Sequence, residues 1–289
     1  MRDYIDIKSN DNALFTTAMC NNNCIMCCQP SLKKNDIDFL WKKNVQLIDT
    51  APKELPSIGI TGGEPTLLGD RFFELIKYIR EKLPETEIHI LSNGRYFSDK
   101  TFTAQLAEIG PEKILLGIPL HSDNQIDHDY IAGAKGAYEE TLKGLYNLAR
   151  YSFDIELRIV ITRLNYKRLP DLAHFIYKNL PFVNYISMMG LEYTGYTIKN
   201  ADEVWIDPID IHKELFEAIR YLDLAGMDVS IFNYSHCVLP ESLWPYARKS
   251  ISDWKVKYES CCDQCKMKGS CCGLFGTSKK QSNNIHPII

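Results

Sequence analysis

Three cysteines fall within one short stretch, Cys20-Asn21-Asn22-Asn23-Cys24-Ile25-Met26-Cys27, behind an apolar segment of β-strand character. Thiols this close cannot all pair with one another. As thiolates they can converge on one metal centre, and soft sulfur ligands select iron–sulfur clusters, zinc or Cu(I). Most clusters take four protein cysteines, so three alone point to a cubane with one iron left open. A structural zinc site is the alternative. A second group lies far downstream, Cys262-x2-Cys265-x5-Cys271, flanked by Cys261 and Cys272, with Cys237 upstream of it. There C-x2-C puts two thiolates on one tight turn, and a third returns after a short excursion. Ten cysteines, clustered rather than spread, read as metal ligands and not as disulfides, and two metal centres is the count they imply.

The rest of the composition narrows the class. A chain of 289 residues with 45% apolar content accommodates one large domain, or a domain with an appendage. No apolar run is long enough to span a membrane, and Met1-Arg2-Asp3-Tyr4-Ile5-Asp6 has no apolar core of an export signal, so a cytoplasmic protein is expected. A net charge of −4 without a basic block argues against a nucleic-acid surface, which needs clustered Lys and Arg.

Strand and helix patterns alternate six times. Strands are expected at Asn12–Met19, Ser57–Thr61, Glu87–Leu91, Lys113–Leu120, Asp154–Thr162 and Asn184–Leu191. Helices are expected at Asp36–Thr50, Asp70–Leu83, Asp99–Ile109, Ala137–Tyr151 and Leu169–Asn179, from apolar residues at helical spacing and stops such as Pro84. Such alternation implies an α/β fold, a parallel sheet with helices outside it. Past about residue 195 the rhythm changes to a long helix over Pro208–Ala225, a further strand at Asp228–Phe232, the cysteine-rich segment and a polar tail. Two domains, 1–200 and 201–289, are expected.

The strand at Ser57–Thr61 runs directly into Gly62-Gly63-Glu64-Pro65. C-x3-C-x2-C followed by this motif resembles the radical S-adenosylmethionine (SAM) enzymes, in which the amino and carboxylate groups of SAM chelate the open iron of a [4Fe–4S] cluster. The resemblance implies a partial (β/α)6 barrel with the site at the C-terminal ends of the strands. It implies that Cys20, Cys24 and Cys27 hold the cluster and that Gly62, Gly63 and Glu64 bind the SAM amino group. Glycines there allow close approach of backbone to ligand, and Pro65 stiffens the turn. Ser92 and Asn93, ending the third strand, stand where the family places polar contacts to the ribose and methionine parts, with an ordinary Asn-Gly turn as the alternative. Arg158, or Arg163 after it, offers a planar cation for the SAM carboxylate. His121 at the end of the fourth strand is placed to face substrate, and Ile25 and Met26 to pack around the cluster or adenine. Cys28 reads as a buried inert thiol, with a proton or hydrogen donor as the alternative.

The downstream group resembles the core of SPASM/twitch extensions, which hold auxiliary [4Fe–4S] clusters in radical SAM enzymes acting on peptides. The further cysteine of the full pattern is replaced by Phe275, so the resemblance implies a shortened extension with one auxiliary cluster on Cys237, Cys262, Cys265 and Cys271; zinc on the same sulfurs is the alternative, and the neighbours Cys261 and Cys272 are alternatives to Cys262 and Cys271 as ligands. The strings ITGGEPTLLGD, LSNGR and GIPLHSD, with LWPYAR and SISDWK around the second group, resemble the His-Xaa-Ser system radical SAM maturases. Cys272 stands where that subgroup would have glycine, and the tail from Gln281 to Ile289 matches loosely. The implied activity is reductive cleavage of SAM to a 5′-deoxyadenosyl radical that abstracts hydrogen from a peptide or small protein carrying His-Xaa-Ser repeats. A low-potential donor such as flavodoxin or ferredoxin would supply the electron. A small molecule or cofactor precursor is the alternative substrate, and a metal-binding regulatory protein without turnover is the rival from another class.

Overall fold

The computed structural model describes residues 4–9, 11–32 and 35–289; Met1 to Asp3, part of the stretch read for an export signal, lie outside them. In chain order the elements are β1 (Ala13–Phe15), α1 (Ile37–Asp49), β2 (Ser57–Thr61), α2 (Asp70–Lys82), β3 (Glu87–Leu91), α3 (Lys100–Ile109), β4 (Ile114–Pro119), α4 (Gln125–Ala132), α5 (Ala137–Arg150) and β5 (Asp154–Val160). Then follow α6 (Leu169–Asn179), β6 (Tyr185–Met189), the single-turn helices α7 (Tyr196–Lys199) and α8 (Ala201–Val204), α9 (His212–Leu224), β7 (Val229–Phe232), β8 (Ala247–Arg248), β9 (Val256–Lys257) and β10 (Leu274–Phe275). The main sheet has eight strands in chain order, β1 to β8. The α/β class expected from the sequence is the one observed.

The chain divides into two compact units. The first comprises Met1–Asn23, Pro30–Pro119 and Ala134–Glu156. Its strands β1 to β4 pair in parallel, with Leu14 opposite Ile60, Ile58 opposite Ile88 and Ile90 opposite Leu116, all but fully buried. Over them α2 lays Phe72, Leu75, Ile76 and Ile79 at helical spacing, all without exposure. Phe72 stacks on Phe102 of α3 at 5.7 Å between ring centroids, a geometry worth more than the area it buries.

The second unit comprises Cys24–Gln29, Leu120–Gly133 and Leu157–Ile289. In it β6, β7 and β8 are parallel, with Ile186 opposite Val229 and Ile231 opposite Ala247. Helices α6 and α9 meet through His174 and Tyr221, edge to face at 4.0 Å. Beyond β8 the cysteine-rich segment folds around a two-stranded antiparallel ribbon, β9 with β10.

Four differences from the sequence expectation matter. The first strand is three residues, Ala13–Phe15, because the chain beyond it bonds to the Gly62–Glu64 turn instead of continuing the ladder. Pro208–Ile211 forms a 3-10 turn before α9 starts at His212. The helix α4 went unforeseen, although Asn124 caps its start by accepting from Asp127 N–H and Gly133 ends it in the left-handed region. The eighth strand, two residues after a 3-10 stretch containing Pro245, is too short to leave a pattern.

Candidate active site and cysteine centres

In the first unit the turn after β2 is built for close approach. A Cβ on Gly63 would stand 2.1 Å from the Met19 carbonyl oxygen, and one on Gly62 2.5 Å from that of Thr17. Only glycine fits. The proximity is used: Gly63 N–H donates to Thr17 O at 2.6 Å and Glu64 N–H to Met19 O at 2.8 Å. The segment leading into the cysteine loop is thereby laced to the motif. Among the described residues the carbonyls of Gly62 and Gly63 accept no hydrogen bond, which leaves two acceptors of the kind an ammonium group needs.

The Glu64 side chain is turned inward and has no exposure. Its Oε1 accepts from Thr66 N–H (3.1 Å), Thr66 Oγ1 (2.6 Å) and Ser92 Oγ (2.7 Å), and its Oε2 from Asn93 N–H (2.6 Å). Burial pushes this carboxyl up from the usual range, and the bonds from Thr66, Asn93 and Ser92 pull against it. With four donors aimed at it, the carboxylate fastens the end of β3 to the end of β2. Three of these donors fall on Oε1 and only one on Oε2, so Oε2 keeps acceptor capacity beside the structural role of the carboxylate. Ser92 is likewise engaged with Glu64.

Asn93 and Arg95 continue this bracing to the cysteine loop. Asn93 Nδ2 donates to Asn21 Oδ1 at 2.6 Å and lies 3.9 Å from Cys20 Sγ. Arg95 Nη1 donates to Asn21 O (2.7 Å) and Asn22 Oδ1 (2.8 Å), while its Nε donates to Glu140 Oε2 at 2.5 Å. Sequence reasoning passed over Arg95; the string LSNGR contains it, but nothing in the string marks its partners. Cys20 is half-buried, and its Sγ accepts from Asn22 N–H at 3.4 Å.

The other two thiols of the loop belong to the second unit and are also half-buried. Here the backbone is held by Ile25 N–H on Ile131 O (3.0 Å), Tyr196 N–H on Cys27 O (2.8 Å), Thr197 Oγ1 on Met26 O (3.1 Å) and Asn200 Nδ2 on Ile25 O (2.7 Å). Met26 packs with Ile131 and Val204, with Ile25 against them, so α4, α7 and α8 exist partly to position this turn. Gly195 passes so close that a Cβ would meet Cys27 O at 2.4 Å. Cys28 is exposed as a residue, yet burial pushes its thiol up, with Glu192 adding to the shift, so its sulfur is turned inward; Cys27 O is the anchor for Tyr196 N–H. Arg158 lies half-buried in the middle of β5 between buried Leu157 and Ile159. Arg163 is turned to Trp205 O at 3.0 Å. His121 is 2% exposed, packs against His128 at 5.0 Å, and among the described residues finds no partner for either ring nitrogen.

The downstream cysteines come together within the second unit. Cys237, Cys262, Cys265 and Cys271 all line one small cavity, together with His236, Tyr258, Ile285 and Ile288. Cys261 and Cys272 do not line it. Cys265 Sγ accepts from Ile288 N–H and Cys271 Sγ from Gly273 N–H, each at 3.4 Å. The Cys271 thiol is held down to about 4, first by the Cys272 thiol that donates to it, and Cys272 is pushed up in return. Four sulfurs around a void, two of them receiving backbone N–H groups, fit a sulfur-ligated cluster. No three His, Cys, Asp or Glu side chains among the described residues are gathered tightly enough to grip a single ion.

Comparison with known proteins agrees with this geometry. Residues 14–176, more than half of the chain, match the profile of the Radical SAM superfamily. The chain is 28% identical over 192 residues to Fe-coproporphyrin III synthase of Methanosarcina barkeri, covering 65% of this chain and 45% of that protein. It is 28% identical over 159 residues to mycofactocin maturase MftC of Mycobacterium ulcerans, covering 54% and 41%. The chain thus spans under half the length of these two curated relatives. Its fold is similar to that of Streptococcus suis SuiB bound to S-adenosylmethionine, with a TM-score of 0.61 and 18% identity over 78% of this chain and 50% of SuiB. The matched segment contains both the three-cysteine loop and the laced Gly62–Glu64 turn, and the chain belongs to the radical SAM superfamily.

Proposed function

We propose that this radical SAM enzyme modifies a peptide, with a SAM-binding [4Fe–4S] cluster on Cys20, Cys24 and Cys27 and an auxiliary [4Fe–4S] cluster on Cys237, Cys262, Cys265 and Cys271. The observation that carries this reading is the convergence of those last four cysteines on one cavity, the arrangement an auxiliary cluster requires. Bound SAM and its cluster supply one-electron reductive cleavage and a hydrogen-abstracting radical, chemistry that belongs to the cofactor. The chain binds and orients. In this reading Gly62 and Gly63 receive the SAM ammonium through their carbonyls, and Glu64 holds that turn against Ser92 and Asn93. Asn93 steadies the loop at Cys20, and Arg158 pairs with the SAM carboxylate. Residues 1–200 form the core and 201–289 the auxiliary extension.

The substrate we favour is a small protein with His-Xaa-Ser repeats, with a flavodoxin or ferredoxin as electron donor and a cytoplasmic setting. Among the described residues no helix is long and apolar enough to cross a membrane. The likeness to a protein named as a maturase supports a peptide substrate. The likeness to Fe-coproporphyrin III synthase favours a second reading, a small molecule or cofactor precursor. Anaerobic turnover separates them: 5′-deoxyadenosine release that rises with a His-Xaa-Ser peptide, and a mass change in that peptide, is the expected result. Release that ignores every peptide while SAM is still cleaved contradicts the peptide reading.

A further inference from the structure

A second cavity in the same unit lies at the C-terminal ends of three strands. Ile161 follows β5, Gly190 and Leu191 follow β6, and Asn233 to Ser235 follow β7, and all of them line a cavity of about 60 Å³ together with Phe275 and the tail residues Lys280 to Ser282. Strand ends of this kind are where α/β folds place ligands. The cavity shares Ser235, Gly273, Leu274 and Ile285 with the cavity of the four cysteines.

Two features say what it would hold. Tyr234 is 6% exposed and lines the cavity, yet among the described residues its hydroxyl makes no hydrogen bond. Burial raises its titration, so the hydroxyl stays a donor. The hydroxyl keeps a little solvent contact, so it is a donor that a ligand entering the cavity can engage. At the rim the exposed Lys280 sets its ammonium 3.6 Å over the Trp205 ring, which fixes a cation at the mouth. Asp207, two residues past Trp205, accepts from Ser282 Oγ at 2.8 and 3.0 Å. Ile161, Leu191, Trp205 and Phe275 supply apolar wall between the two polar groups.

We propose that this cavity is a substrate subsite for a carboxylate on a short apolar stem, with Tyr234 donating to it and Lys280 balancing its charge. The proposal deepens the peptide reading, and rests on it only for which molecule presents the carboxylate: an acidic peptide side chain or a free small acid.

The test is calorimetric titration of the anaerobically reconstituted full chain with SAM present, using three probes: acetyl-Gly-Glu-Gly-amide, its Gln counterpart, and glutarate. The Glu peptide is expected to bind, and the Gln peptide about tenfold more weakly, as loss of a charge-assisted bond predicts. Lys280→Met should weaken the Glu peptide about tenfold and leave the Gln peptide unchanged. Tyr234→Phe should weaken both peptides while leaving the melting temperature of the ligand-free protein close to that of wild type, because the hydroxyl it removes has no partner among the described residues. Binding of glutarate alone, with the same dependence on both residues, upholds the subsite and contradicts the peptide reading. Absence of binding by all three, or binding that neither substitution alters, overturns the subsite even where SAM cleavage is intact.

Discussion

The two cysteine groups are held in different ways. The upstream loop is braced from outside: Glu64, Asn93 and Arg95 fix its first half through side-chain hydrogen bonds, and Ile131, Tyr196, Thr197 and Asn200 fix its second half through the backbone. The downstream group is held from within, four cysteines around a void with the tail running past them at Ile285 to Ile288. On the proposed reading, bracing from outside would leave an iron reachable by a ligand, whereas enclosure would suit a centre whose ligands are all protein. The difference between open and closed sulfur sites, familiar for zinc, is here a difference in which side chains carry the load.

Substitutions break that contrast in graded fashion. Glu64→Ala strands four buried donors and should have the largest effect, a loss of about 3 kcal/mol or more. Thermal unfolding is the check, and Glu64→Gln should fall between the two. Arg95→Met removes charged bonds to Asn21, Asn22 and Glu140 and should cost about 1.5–3 kcal/mol. Its sharper signature is chelator-driven iron loss from the upstream centre about tenfold faster than in wild type, with the downstream centre unchanged. Equal acceleration at both would mean that the bracing is not local.

The second unit also carries a pH signature of its own, set by buried histidines. Burial lowers the titration of His128 from 6.5 to about 4, and that of His121 falls as well. The unfolded chain therefore binds more protons than the folded one between these values, so stability is full above about pH 6.5 and falls as pH drops toward 4, by up to about 3 kcal/mol for His128. Denaturant titrations across that window should show the slope, and His128→Gln should flatten it. The smallest effect belongs to Ile288→Pro, which deletes the N–H donated to Cys265 Sγ. A loss of about 0.5–1.5 kcal/mol is expected, with faster metal release from the downstream centre only.

Local patterns made much of this legible. Ser57–Thr61 and Glu87–Leu91 appear at the expected limits because each is a short apolar run bounded by turn residues. The cysteine spacings and Gly62-Gly63 were readable because a turn constrains residues near one another in sequence. The inward direction of Glu64 was not, since a motif fixes a position along the chain and not where a carboxylate points. Arg95 reaches across more than seventy positions to Asn21, and Tyr234, Trp205 and Lys280 meet only through the fold. Helix α4 did carry its signals, Asn124 before it and Gly133 after it, and its weak apolar face hid them.

The central claim is that one chain carries two unlike clusters. Iron, sulfide and zinc analysis after anaerobic reconstitution, on wild type, on the Cys20/Cys24/Cys27→Ala variant and on the Cys262/Cys265→Ala variant, tests it most directly. About eight irons per chain, falling to about four in either variant with no zinc, is the predicted result for two cubanes. About four irons and one zinc in wild type, the zinc vanishing with Cys262 and Cys265, would contradict it.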